Sequence, residues 1–580
     1  MLRILSLSLP ILLLIGPTPA DAGQSRKKPN VILIMTDDQG HGDLGFHGNP
    51  IIKTPNLDKF AKQSVRMKYF YVCPVCSPTR SSLLTGRYNY RTGVVDTYIG
   101  RSMMRPGEVT LAEMLKAAGY VTGIFGKWHL GDNYPQRPID QGFDEALVHQ
   151  GGGVGQPADP PGNSYFDPVL FKNGKEFKSK GYCSDVFTDG AIDFVKRHKK
   201  EPFFVYLAYN CPHTPLQVPE KYLNMYKNKD LSHSAFPKIG QPLPGKANQD
   251  ATARVYGMVT NIDDNLGRLF AVLDDLDLTD DTIVIFLTDN GPQQVRYNSG
   301  LRGRKGMVYE GGVRVPCFIR WPARLKGNRD IDPIAAHIDI VPTILEACGA
   351  RKPAEVNFDG KSLMPLWLDK AKDWPDRVLY FQWHRGDEPQ MYRAFAARGQ
   401  RYRLVQPQGG GNSKLPGFVS FQLFDMENDP YEMNDIAAKH PKIVAKMTRE
   451  YEKWFRDVGS QGYAPPRIYL GAKQQDKVML TKQDWRGPKA SWGPKGVGHW
   501  EVKVVDKGPY QVKVLFPGKP KQRKLTVQVG KEKLEAEIPK QAKEFVFNKV
   551  MLPQGPGRLQ ASLQQGKETF GVSYVIVEKK

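Results

Sequence analysis

The chain has 580 residues and a formal net charge of +22, and its six cysteines are too few for a disulfide scaffold. One hydrophobic core stops growing at about 250–300 residues, so two or more domains are expected. A sequence pI near 9.4 favours anionic partners. With no recognisable nucleic-acid motif, the basic surplus points to sulfated or otherwise acidic glycans or an anionic cell surface, the plainer alternative being a soluble basic surface.

In chain order, residues 1–22 read as a secretory signal peptide: Arg3, an apolar run over 5–15, and Ala20, Asp21 and Ala22 as a small-x-small cleavage site. The apolar part is too short for a bilayer core of about 30 Å. No second apolar run of about 18 residues follows, so no transmembrane segment is expected and the mature protein reads as soluble, secreted or periplasmic. No cysteine lies near the cleavage site, which argues against a lipoprotein anchor. An exported location would permit disulfides among Cys73, Cys183, Cys211, Cys317 and Cys348, with no pairing specified.

The run VILIM at 31–35 is continuously apolar, as in a parallel strand buried on both faces, and it ends in Thr36, Asp37 and Asp38. A helix is predicted over 111–118, a strand over 120–125, a helix over 184–197, a strand over 202–209 and a helix over 255–276. The Gly/Pro-rich stretches 151–163 and 237–248 read as surface loops, and the first lacks the Gly-Lys-Ser/Thr of a phosphate-binding loop. A second continuous run, 282–287, ends in Thr288, Asp289 and Asn290. Two buried strands thus deliver acidic residues at their C-terminal ends, where ligand crevices of open α/β sheets lie.

Beyond about 374 the pattern changes to short strands at 378–383, 392–397, 402–405 and 421–424 with a helix at 441–457, a small antiparallel sheet with one helix. From 467, alternating stretches at 500–505, 510–516, 524–529 and 570–577 suggest a β-sandwich. Residues 471–580 hold 22 Lys and Arg against 10 Asp and Glu, so the basic surplus concentrates there. The expected fold class is α/β: a large mixed, mostly parallel sheet flanked by helices, a small antiparallel α+β subdomain and a C-terminal β-sandwich-like module. The expected divisions are 1–22, 23–373, 374–466 and 467–580.

Cys76 opens the pattern C-x-P-x-R-x-x-x-L-T-G-R, which runs to Arg87. Taken alone, the cysteine reads as a small buried hydrophobe or as half of a redox pair with Cys73. Asp37 with Asp38, and Asp289 with Asn290, read alone as Asx turns or helix caps. If the two strand ends converge, they offer hard oxygen ligands of the type calcium takes.

Six further segments accompany these: PNVILIMTDDQG at 29–40, GIFGKWHLG at 123–131, PHTP at 212–215, TDNG at 288–291, GRKGMVYEGGVR at 303–314, and a late L-x-D-x-x-x-D-P-x-E segment from Leu423 to Glu432. In order and approximate separation this set resembles the type I sulfatases of the alkaline phosphatase superfamily, over roughly residues 29–460. The resemblance implies that Cys76 is oxidised to Cα-formylglycine (3-oxoalanine) by a formylglycine-generating enzyme and serves as a hydrated gem-diol nucleophile. It also implies Asp37, Asp38, Asp289 and Asn290, with the modified Cys76, as ligands of Ca2+. Arg80 would steady the hydrated aldehyde, and Lys127 and Lys305 would grip sulfate oxygens. His129 would take the proton that expels inorganic sulfate, and His213 would protonate the departing alcohol, roles suited to a side chain that titrates near neutrality.

The implied activity is sulfate ester hydrolysis, with a sulfated carbohydrate as the favoured substrate from the basic balance and the extra module. Two rivals stand beside it: a phosphodiesterase or phosphonate hydrolase of the same superfamily, and a non-catalytic protein that binds sulfated glycans. The segment from Trp383 through His384 and Arg385 to Asp387 is a candidate sugar contact. The stretches 89–91 and 101–105, just after the Cys76 motif, either line the pocket or are solvated.

Overall fold

A computed structural model of the protein describes residues 28–242, 247–517 and 523–580; the signal-peptide reading of 1–22 lies outside the described residues. A ten-stranded sheet organises the first part, in the spatial order Arg329–Ile331, Val65–Met67, Cys317–Arg320, Thr282–Thr288, Asn30–Thr36, Phe203–Ala208, Val121–Lys127, Glu145–His149, Val169–Lys172 and Lys175–Lys178. The middle five run parallel, whereas Cys317–Arg320 and Val169–Lys172 pair antiparallel to their inner neighbours.

Every residue of Asn30–Thr36 and of Thr282–Thr288 is buried, which is why these strands lack apolar/polar alternation. Val31, Leu33 and Met35 enter one core, with the helices Leu111–Ala117 and Ile340–Cys348. Ile32 and Ile34 enter the opposite core, with the helices Cys183–Arg197 and Gln249–Asp275. Each such aliphatic side chain removed from water contributes about 1.5–3 kcal/mol. The helix expected from 255 begins six residues earlier, because the Asn248 side chain accepts a hydrogen bond from the Ala251 N–H at 3.0 Å and caps it.

A four-stranded antiparallel sheet, Leu379–Gln382, Phe395–Arg398, Tyr402–Gln406 and Gln422–Asp425, carries the helix Pro441–Val458. It is tied by charge to the short helix Glu310–Val313: Arg403 Nη1 lies 2.8 Å from Glu310 Oε1, and Arg403 Nε lies 2.9 Å from Glu432 Oε1, all three fully buried. Glu432 is the last residue of the 423–432 segment, and Asp429 within that segment caps the Met433 and Asn434 N–H groups.

From Ile468 onward a six-stranded and a four-stranded sheet enclose a third core that includes Trp485, Trp500, Val512 and Leu525. The single strand expected at 570–577 is two: Glu568–Gly571 belongs to the first sheet and Tyr574–Lys579 to the second. Among the described residues no helix is long and apolar enough to cross a membrane.

Candidate active site

The two central strands end side by side, with Thr36 opposite Thr288, so Asp37, Asp38, Asp289 and Asn290 emerge together at the C-terminal edge of the sheet. The neighbouring strand Val121–Lys127 delivers Lys127 and then His129, and Phe203–Ala208 leads to His213. Asp38 and His129 hold φ near +64° and +61°, left-handed values that a non-glycine residue adopts at a cost. Cys76 is the first residue of the helix Cys76–Thr85, whose ten residues are all buried, and Arg80 sits one turn on.

Lys127 Nζ lies 2.5 Å from Asp37 Oδ2, and Lys305 Nζ 2.5 Å from Asp38 Oδ1. Asp38 Oδ1 also accepts from the Asn290 amide at 2.8 Å. Arg80 donates to Asp289 Oδ2 from Nη2 at 2.8 Å and to the Lys127 carbonyl from Nη1 at 3.0 Å. The thiol of Cys76 and carboxylate oxygens of Asp37 and Asp289 all lie within 4.8 Å of one another. Asp37 Oδ1, Asp38 Oδ2 and Asn290 Oδ1 are buried without a hydrogen-bond partner. Orphaned hard oxygens converging beside carboxylates are the donor set a divalent cation takes.

Burial pushes Asp38 up, but Lys305 and then His213 outweigh it and hold the carboxyl below the usual range. Burial and the adjacent Asp37 raise Asp289 to about 6 against Arg80 and Lys127. Burial, with Lys305, lowers His213 to about 3, partly offset by Asp38. Burial and Lys127 likewise push His129 well below its ordinary value. Each histidine has one nitrogen fixed by a backbone carbonyl: His129 Nε2 lies 2.7 Å from Thr97 O, and His213 Nδ1 2.6 Å from Thr214 O. An N–H on those nitrogens leaves His129 Nδ1 and His213 Nε2 with free lone pairs.

These residues floor a cavity of about 880 Å³ lined by Cys76, His129, His213 and Lys305, with Trp383, Arg385 and Trp492 farther out. Trp383 and Arg385, read from sequence as candidate sugar contacts, are therefore on its wall. The stretches 89–91 and 101–105 are not: Asn89 is buried, Arg91 pairs with Asp359, Arg101 with Asp387, and Arg105 donates to the Arg91 carbonyl.

One sequence reading needs correction. The stretch 151–163 is not simply a surface loop; residues 151–154 are buried and Gly152 presses on the catalytic floor, because a Cβ there would lie 2.6 Å from the His129 ring. Cys73 and Cys76 are both free thiols, and Cys73 Sγ lies 3.3 Å from His337 Nε2. Thr97, Gln156 and Trp492 also line the cavity, each a single residue without a spacing pattern to mark it, as does Arg304, which stands inside the 303–314 segment beside Lys305.

The model of the sulfatase family matches residues 29–350, more than half the chain, and includes every residue of the catalytic floor. This chain belongs to the sulfatase family. A second model, of the N-sulphoglucosamine sulphohydrolase C-terminal region, matches residues 303–457. The sulfatase is 31% identical to human N-acetylgalactosamine-6-sulfatase over 399 residues, 63% of this chain and 70% of that protein. It is 29% identical to human arylsulfatase A over 514 residues, 82% and 91% of the two chains. The crystal structure of Ps i-CgsB in complex with k-i-k-neocarrahexaose superposes with a TM-score of 0.64 at 30% identity, covering 74% of this chain and 94% of that one. The fold is therefore that of the alkaline phosphatase-like sulfatases, and the sulfatase is a sulfuric ester hydrolase.

Proposed function

We propose that this sulfatase removes sulfate from sulfated carbohydrate through a formylglycine derived from Cys76 beside a bound Ca2+. The carrying observation is the convergence of Cys76 with Asp37, Asp38, Asp289, Asn290, Lys127 and Lys305 on one buried floor under a cavity large enough for a saccharide. Sugar is favoured by the substrate named in N-acetylgalactosamine-6-sulfatase, by the oligosaccharide in the Ps i-CgsB complex, and by a net charge of +22. On this reading, 23–373 is the catalytic domain, 374–466 its α+β subdomain and 467–580 an accessory basic domain. Export to the periplasm or beyond, after encounter with a formylglycine-generating enzyme, completes the proposal.

Asp37, Asp38, Asp289 and Asn290 would hold the cation. Oxidised Cys76 would supply a hydrated aldehyde as nucleophile toward sulfur, and the cation, when bound, would supply positive charge toward the sulfate oxygens. Lys127 and Lys305 bind sulfate oxygens as point charges, which suits a tetrahedral anion. Arg80 fixes Asp289 and the start of the Cys76 helix. His129 accepts a proton at Nδ1, its other nitrogen being committed to Thr97. His213 donates to the departing alcohol from Nε2; it is neutral in the resting site, so the incoming sulfate must raise its pKa before it can act.

The test is sulfate release from a digest of sulfated polysaccharide, compared with Cys76→Ala and with turnover of an aryl phosphodiester. Release by the wild type, loss in the variant and preference for sulfate are expected. Full activity in Cys76→Ala would remove the mechanism, and preference for the diester would favour the phosphorus-directed rival.

A further inference from the structure

Both family matches end by residue 457, yet the chain beyond that point reaches the catalytic floor. The contact is built on the segment 96–103, which follows the Cys76 helix. Ile99 stands at φ near +56°, a conformation that crowds a β-branched side chain. It is held there from the C-terminal side: Ile99 and Met103 pack into the core of the two C-terminal sheets, Gly100 N–H donates to the Gln483 carbonyl at 2.7 Å, and Arg486 donates to the Gly100 carbonyl at 2.7 Å. Further bonds clamp the same region to the 132–137 turn, among them Asn133 Nδ2 to Met479 O at 2.8 Å and Tyr134 N–H to Gln475 Oε1 at 2.7 Å.

Two side chains then enter the site. The Gln483 amide donates to the Thr97 carbonyl at 2.9 Å and to Ser102 Oγ at 3.0 Å. That carbonyl is the acceptor for His129 Nε2. Trp492 lines the outer cavity and meets Tyr98 edge-on, with centroids 5.3 Å apart, while Arg385 stacks on the same tyrosine at 4.1 Å. The Trp492 indole N–H is buried without a partner, and it is the apolar surface of the ring that lines the outer cavity.

We propose that the C-terminal β region is a working part of the catalytic site: Gln483 is a positioning residue that fixes the Thr97 carbonyl and through it the Nε2–H tautomer of His129, and Trp492 is a binding contact for the saccharide leaving group. This rests on the sulfatase mechanism above. An untethered Thr97 carbonyl lets the imidazole turn or exchange tautomers, which lowers the fraction with a lone pair on Nδ1. An aromatic face suits a pyranose, whose C–H groups pack against the ring.

The test uses the full mature chain. Gln483→Met keeps length and removes the donor; it is expected to lower kcat about tenfold with little change in KM. In histidine-labelled protein, the His129 ring-nitrogen shifts, assigned with His129→Asn, should pass from a single Nε2–H tautomer to a mixture. Trp492→Ala is expected to raise KM for a sulfated oligosaccharide by about tenfold, and by much less for a small aryl sulfate. Unchanged kcat and an unchanged tautomer in Gln483→Met, or equal KM effects on both substrates in Trp492→Ala, would overturn the corresponding contribution. If Gln483→Met does not fold, Gln483→Asn, which draws the amide back by one methylene, must shift the same tautomer signal. The tautomer measurement needs no turnover, so it stands even if the wild type releases no sulfate, a result that would count against the functional reading alone.

Discussion

Arg80 and Asp289 form a fully buried ion pair, with Nη2 at 2.8 Å and Nε at 3.2 Å from the same carboxylate oxygen. It ties the helix that begins at Cys76 to the end of the central strand Thr282–Thr288. Removing the guanidinium strands a carboxylate away from water, so Arg80→Met should cost about 3–5 kcal/mol in urea unfolding. Arg80→Lys keeps the charge but not the fork, and should recover only part of it. Equal stability of all three proteins would show that the pair does not hold the site.

Cation binding should appear as stability. Three orphaned oxygens converge on the catalytic floor, and burial and Asp37 still raise the adjacent Asp289 despite the ion pairs to Lys127, Lys305 and Arg80. Dialysis against a chelator is expected to lower the melting temperature, and Ca2+ at about 100 times its Kd should restore about 2.7 kcal/mol. Identical melting with and without calcium, at any calcium concentration, would contradict the assignment.

Gly152 is expected to tolerate no side chain. A Cβ would stand 2.6 Å from His129 Cε1 and 2.8 Å from Nε2, and the ring is pinned by Thr97. Gly152→Ala should therefore lower kcat by about a hundredfold, the typical effect of a displacement near 1 Å, with a near-normal melting temperature. Wild-type kcat in steady-state assays would show that the ring moves aside freely.

The Arg403 site separates stability from catalysis. Its guanidinium serves Glu310 and Glu432, all fully buried and outside the cavity lining. Arg403→Met removes the nearest cation from both carboxylates, leaving Glu310 to Arg398, Arg314 and Tyr71 and Glu432 to the Glu310 N–H. It should cost about 1–3 kcal/mol, while folded molecules at low temperature keep their turnover. Loss of turnover without loss of stability would contradict that division.

Docking of the C-terminal region carries a pH signature. Asp484 is buried, with both carboxylate oxygens unpartnered, facing Asp132 and Arg486; burial and then Asp132 push its pKa well up. Burial raises Asp132 to about 6 and Asp159, which Asp132 also faces, to about 7. A carboxyl whose folded pKa is raised contributes stability in full below its unfolded value near 4, and loses it as pH rises through the folded value. Asp484→Asn removes the rising cost, so its melting temperature relative to wild type should increase from pH 5 to pH 8. A constant difference across that range would exclude the effect.

The central strands were legible in sequence because a strand covered on both faces needs apolar residues throughout, as 31–35 and 282–287 have. Their acidic ends were legible because short polar residues immediately follow. Strands such as Glu532–Ile538 and Glu544–Leu552 escaped, since much of their length is exposed and charged and the period of two is weak. Gly and Pro in 151–163 mark turns but say nothing of burial, so the contact of Gly152 with His129 was hidden. Gln483 lies 354 residues from His129, and only the docking of the C-terminal sheets on 96–103 brings them together.

The most direct measurement is the mass of the tryptic peptide from Tyr69 to Arg80, which contains Cys73 and Cys76, after alkylation of protein purified in active form. Oxidation of Cys76 to the aldehyde is expected to remove about 18 Da and leave a single alkylated cysteine, Cys73. Two alkylated cysteines in a preparation that releases sulfate at full rate would contradict the account.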